Sequence, residues 1–169
     1  MIDVIDFKGD VIIIPCDSEL TYHKVGIVAK ILDKGGEDLL KELTSIGYCE
    51  VGYAVIVQGY ELPAKNIIFM PVSDHNHQET RINYIDLHQS LKAAFTLADL
   101  YKAKTVAIAG IHIPNTKRSV AQSLWKKFTE GKKEAGSPSS DEIEDIIIST
   151  SKNFKDSSIK ELIIYKYSK

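Results

Sequence analysis

Thiols are scarce in this chain: Cys16 and Cys49 are the only cysteines in 169 residues. Two thiols in a domain of this size exclude a disulfide scaffold and predict a reduced, cytoplasmic protein. Excess charge is lacking too. Twenty-one basic and 23 acidic side chains leave a formal net charge of -2, so no overall basic field draws the molecule to nucleic acid or to an anionic membrane. No apolar stretch approaches the roughly 20 residues of a membrane span, and the opening "MIDVIDFKGD" carries acids where a signal peptide is basic and then apolar. Internal repeats are absent.

What is present is apolar patterning, with 44% hydrophobic residues over a length that predicts one domain, 1–169, with a sizeable core. Ile2 to Phe7 alternates apolar and acidic residues, the mark of a half-buried strand. Val11 to Pro15 is a continuous β-branched run suited to burial on both faces. Its abrupt end at Pro15, Cys16 and Asp17 delivers small and polar residues to one rim of a sheet, where α/β domains commonly hold a ligand. Helical spacing follows over Val25 to Leu43, with Gly35-Gly36 predicted to weaken or bend it. Strands are predicted at Tyr53–Gln58 and Asn66–Pro71, and a helix with Leu87, Leu91, Ala94, Phe95 and Ala98 on one face. A buried strand at Thr105–Ala109, a helix over Lys117–Thr129 and an exposed loop around 130–142 come next. A strand at Ile146–Ser149, a short helix at Phe154–Leu162 and a terminal strand at Ile163–Tyr167 complete the pattern. Strands alternating with helices in this order predict an α/β protein, a three-layer α/β/α sandwich around a central mixed sheet.

Four strings together resemble the macro domain family, modules that bind ADP-ribose and related nucleotides. They are "GDVIIIPCD", "VGIVAKILDKGGEDLLKEL", "VGYAVIVQGYELPAKNIIFMPV" and "LHQSLKAAFTLADLYKAKTVAIAGI". The resemblance runs from about Phe7 to Ile111 and implies a macro domain-like fold with a cleft after Ile14 and after Ala109. By the same resemblance Asp6 and Phe7 meet the base, with Phe154 as an aromatic platform. Gly26, Ile27 and Val28 flank the phosphates on one side, and Ile111, His112, Ile113 and Asn115 on the other. Asp17 stands where the family has an asparagine facing the distal ribose. Its carboxylate accepts ribose hydroxyls but is repelled by a diphosphate unless a cation such as Lys24 offsets it. Both phosphate loops, "TYHKVGIVAK" and "GIHIPNTKRS", are poor in the glycine that lets backbone N–H groups approach an anion.

Three functions follow as alternatives: a module binding ADP-ribose or a related nucleotide; a hydrolase of ADP-ribosyl or ADP-ribose-phosphate groups, with Asp17 as base or His112 as acid/base; or a scaffold whose cleft has degenerated. Duller roles stand beside these. Asp17 and Ser18 can cap the turn that follows them, Cys16 reads as a small buried hydrophobe rather than a nucleophile, and His112 is as compatible with a structural role. "DHNHQET" lacks the ligand spacing of a zinc site, so no metal is expected, and no organic cofactor. Lys126-Lys127 and Lys132-Lys133 read as a solvated face and loop rather than a nucleic-acid contact. Trp125 fits core, lid or interface. Oligomeric state is not encoded in any motif.

Overall fold

A computed structural model describes residues 3–21, 26–73, 82, 84–111 and 139–166. The predicted helix at Lys117–Thr129, Trp125, the lysine pairs, "DHNHQET" and most of the loop at 130–142 lie outside the described residues.

The centre is a five-stranded sheet. Strand β1 (Val11–Asp17) is its middle strand and is buried at every position. It pairs in parallel with β3 (Asn66–Ser73) on one side and with β4 (Thr105–Ile108) on the other. Beyond β3 lies β2 (Val55–Gln58), antiparallel to it, and beyond β4 lies β5 (Glu161–Ile164), parallel to it. The order is therefore β2-β3-β1-β4-β5. Helices cover both faces, which is why β1 reads as an uninterrupted apolar run. Ile12, Ile14 and Cys16 enter the core beneath helix α1 (Gly26–Ile46). Val11 and Ile13, offset by one residue, enter the core beneath α2 (Tyr84–Leu100) and α3 (Ser140–Ser151).

Helix α1 is bent as its glycine pair predicts. Gly36 has φ 81° and ψ -178°, outside the helical region, a conformation that a side chain resists. A Cβ there would also stand 2.5 Å from Glu61 Oε1 in the β2–β3 turn. The bend thus sits at the N-terminal edge of β3. From it the second half of the helix returns, since Cys49 N–H, just past its end, donates to Ser18 O at the far end of β1 (2.9 Å). Both halves bury apolar residues on the same core: Val28 and Ile31 before the bend, Leu39 and Leu43 after it.

Asp10 fastens the N-terminal edge of the sheet, where β1, β3 and β4 begin. Its N–H donates to Thr105 Oγ1 (3.0 Å), and its Oδ2 accepts from Lys104 N–H (2.9 Å) and Thr105 N–H (3.1 Å). Oδ1 receives Lys65 Nζ at 2.6 Å. The Lys65 ammonium and these N–H donors hold the carboxyl well below the usual carboxylate range.

Three expectations are corrected. The segment before β1 is not a strand: Val4–Asp6 form a single 3-10 turn, because Val4 and Phe7, three apart, bury on one side. Ile146–Ser149 lies inside α3 rather than in a strand. Ile143, Ile147 and Thr150 at helical spacing supply its buried face, and Ser139 with Glu142 forms a capping box at its start. Ser139–Glu142 therefore leave the predicted exposed loop. Finally, Phe154–Leu162 is no helix: a 3-10 turn at Lys152–Phe154 leads to β5, which begins at Glu161.

Candidate functional site

Sheet topology places the site. From β1 the chain passes over one face through α1 toward β2 and β3; from β3 it crosses the other face through α2 to β4, and leaves β4 for α3 on that same face. The C-terminal ends of β1 and β4 are therefore neighbours, and the next described helices after them, α1 and α3, lie on opposite faces of the sheet. In open α/β sheets ligands usually bind at such a reversal, in a crevice outside the strand ends. The strand ends that lead into the two segments named from the sequence lie side by side: Ala109 N–H donates to Ile13 O at 2.9 Å.

The rim at β1 is tight. Asp17 is only 3% exposed, and its Oδ1 accepts the Glu19 N–H at 2.8 Å, the turn-capping role open to it in the sequence. Ser18 is fully buried, its N–H donating to Ser73 O (3.1 Å) at the end of β3. Burial, with the negative charge of Asp17 beside it, pushes the Cys16 thiol well above its ordinary pKa, which leaves a protonated, packed side chain and no nucleophile.

At the start of α1, Gly26 is exposed and has φ 81°, and among the described residues nothing stands within 4 Å of where a Cβ would be. Ile27 packs partly on the core and Val28 is buried, so what this turn offers a ligand is backbone N–H groups. The first turn carries no acid to oppose an anion. Across the crevice Ile111 is buried in the core beneath α2 and α3. Lys24, His112, Ile113 and Asn115 lie outside the described residues.

The residues expected around a base are dispersed. Asp6 is exposed and ion-paired with Lys34. Phe7 is 8% exposed and seats its ring against Gly9, in the core. Phe154 lies on the other face, its ring 5.5 Å from Phe95, where with Ile159 and Leu162 it lines a hollow of about 150 Å³ near the N-terminal end of β5. It is thus remote from the strand C-terminal rim and cannot share a ligand with α1. Two residues not singled out from the sequence sit better. Asp3 pairs with Lys30 at 3.1 Å, one turn nearer the start of α1 than the Asp6–Lys34 pair. Tyr165 follows β5 at the C-terminal rim, donates its N–H to Ile108 O (2.9 Å), and packs on the same core as Val4 and Phe7. An aromatic closing the last strand was the available signal for Tyr165.

Among the described residues, no group of three or more His, Cys, Asp or Glu gathers as a metal site, and no helix is long and apolar enough to cross a membrane.

Comparison with known proteins bears on this geometry directly. No curated protein sequence matches the chain. Among solved structures, a Trypanosoma brucei macrodomain in complex with ADP is similar at 14% identity and a TM-score of 0.71, over 98% of this chain and 61% of that one. The same macrodomain in complex with ADP-ribose matches at 15% identity with the same TM-score and coverage. This chain thus spans about three fifths of the trypanosome chain. An Oceanobacillus iheyensis macrodomain with ADP is similar at 17% identity and a TM-score of 0.70, over 99% of this chain and 80% of that one. The mixed sheet and its flanking helices are those of macrodomain structures, and a family model for the macro domain matches residues 15–122. The chain belongs to the macro domain family.

Proposed function

We propose that the chain binds ADP-ribose or a closely related nucleotide in the crevice between the C-terminal ends of β1 and β4. The observation that carries this reading is the juxtaposition of those ends, with an acid-free first turn of α1 following β1, in a member of a family for which ADP and ADP-ribose complexes exist. The N–H groups of Gly26, Ile27 and Val28 face the phosphates on one side, and the segment running from Ile111 through His112, Ile113 and Asn115 flanks them on the other. Lys24 offsets the negative charge of Asp17 beside the distal ribose. Asp3 and Tyr165, rather than Asp6, Phe7 and Phe154, meet the base. Binding ranks ahead of hydrolysis, because Asp17 is only 3% exposed and caps its turn through the Glu19 N–H, a setting that favours a structural carboxylate over one exchanging protons with a substrate.

Thermal unfolding of the chain with and without excess ADP-ribose tests this. Ligand at a hundred times its dissociation constant adds about 2.7 kcal/mol of stability. A shift with another nucleotide only would keep the crevice and change the ligand; no shift across a nucleotide panel would overturn the proposal in favour of the scaffold alternative. Release of ADP-ribose from a modified protein, lost in Asp17→Ala, would establish the hydrolase instead.

A further inference from the structure

We infer that the outer edge of β5 takes up an extended polypeptide segment of another protein, which pairs with it as a further strand and sets one large apolar side chain into the hollow beside Phe154. Glu161 N–H donates to Lys104 O (3.0 Å) and Tyr165 N–H to Ile108 O (2.9 Å), so these residues turn their main-chain groups toward β4. Successive residues of a strand turn those groups to opposite sides. Leu162 and Ile164 therefore direct N–H and C=O away from the sheet, and among the described residues no strand pairs with them, β5 being the last in the order. The devices that usually blunt such an edge are lacking. Strand β5 holds no proline and no lysine, and it is apolar on both sides: Leu162 and Ile164 pack on one core, Ile163 and Tyr165 on the other.

The hollow adjoins this strand. Phe95, Phe154, Ile159 and Leu162 supply its apolar lining, and its volume of about 150 Å³ suits a single phenyl ring. Its walls are braced: Ser158 donates N–H (2.7 Å) and Oγ–H (2.8 Å) to Asp99 Oδ1 on α2, Ser157 N–H donates to Phe154 O (3.1 Å), and Lys160 N–H donates to Lys104 O (2.8 Å). Leu162 belongs to both features, with its side chain in the wall of the hollow and its main chain on the free edge. The charged groups at the hollow, Lys155, Lys160 and Glu161, are of both signs, so selection is by main-chain hydrogen bonding and by fit rather than by charge. Main-chain pairing joined to a side-chain pocket is how sheet edges recognise extended peptides. A second copy of the chain fits less well, since antiparallel β5 strands centred on Ile163 would set Lys160 opposite Lys166, where like charges repel.

Fluorescence anisotropy of the full chain with a pool of short labelled peptides, a central phenylalanine between randomised serine, threonine and valine, tests the inference. The expected result is binding that falls about tenfold or more when the phenylalanine becomes alanine, and that is lost on N-methylation of one alternate set of peptide amides but not of the other. Ile164→Pro removes an outward N–H while leaving the bonds to β4 in place, and should weaken binding about fivefold or more; Ile164→Val, which keeps that N–H, should bind like the parent. Hydrogen exchange gives a readout that needs no variant: bound peptide should slow exchange at the Leu162 and Ile164 amides. No binding from the pool, binding indifferent to the phenylalanine and to N-methylation, or protection that leaves those two amides unchanged would overturn the inference. Concentration-dependent dimerisation lost in Ile164→Pro, without peptide binding, would also overturn it and give the edge to a second copy of the chain.

Discussion

At the scale of single residues, two side chains far from the crevice carry contrasting consequences. Asp10 joins the starts of β1, β3 and β4 through one carboxylate, and Asp10→Ala leaves the Lys104 and Thr105 N–H donors without that acceptor. A loss of about 2 kcal/mol is expected in urea unfolding. Because the folded-state pKa is depressed, this contribution is whole above the unfolded carboxylate value of about 4 and is lost as pH falls below it toward the folded value. The parent chain should therefore lose more stability on acidification than Asp10→Ala. Thr150 is the opposite case: its hydroxyl is buried, 1% exposed, and without a hydrogen-bond partner among the described residues. Thr150→Val keeps the shape and removes an unmet desolvation cost, so the melting temperature should rise by the equivalent of about 1 kcal/mol. Asp10 directly precedes the apolar run Val11 to Pro15, so its place at the head of a buried strand was legible in the sequence. The Thr150 hydroxyl was not, since its burial depends on what α3 packs against.

Among the elements, α1 shows local chemistry and tertiary packing in agreement. The glycine pair marked the bend, and Gly36 adopts a left-handed φ beneath the Glu61 side chain. Gly36→Ala should cost about 1–2 kcal/mol in thermal unfolding through that backbone conformation and the displaced carboxylate, whereas a glycine inside a straight helix would gain from the same change. Two other segments show periodicity misread. "IIIS" at 146–149 has the β-branched composition of a strand, yet it is helical because its buried partners are Ile143 and Thr150, beyond the run itself. The alternation of Ile2 to Phe7 concealed the spacing of three between Val4 and Phe7 that a 3-10 turn uses. Short apolar runs do not separate the two periods; the surface they land on does.

For the whole molecule, the nucleotide reading turns on which side chains the fold gathers at one rim. Asp3 lies beside the first turns of α1 through Lys30, and Tyr165 closes β5 at that rim. Asp3→Ala is expected to reduce the ADP-ribose-induced stabilisation by about 1–2 kcal/mol, the worth of a hydrogen bond to a charged group, while the ligand-free melting temperature changes little, the Asp3–Lys30 pair being exposed. Phe154→Ala, at the other end of the sheet, should leave that stabilisation unchanged and lower only the melting temperature. An equal loss in both variants, measured by thermal unfolding with ligand titration, would place the base elsewhere.

The order of residues by itself determined that β1 is buried on both faces, that α1 bends at its glycines, and that the segments 21–30 and 110–119 hold few glycines. Each follows from side-chain volume, polarity or backbone freedom within a few neighbouring positions. Only the tertiary structure decided that the ends of β1 and β4 lie side by side, that Phe154 belongs to the far edge, and that Asp3 and Tyr165 share a face. Pairing between strands some 90 residues apart is settled by long-range hydrogen bonding and by how two opposed apolar faces are covered, and local periodicity carries no record of either.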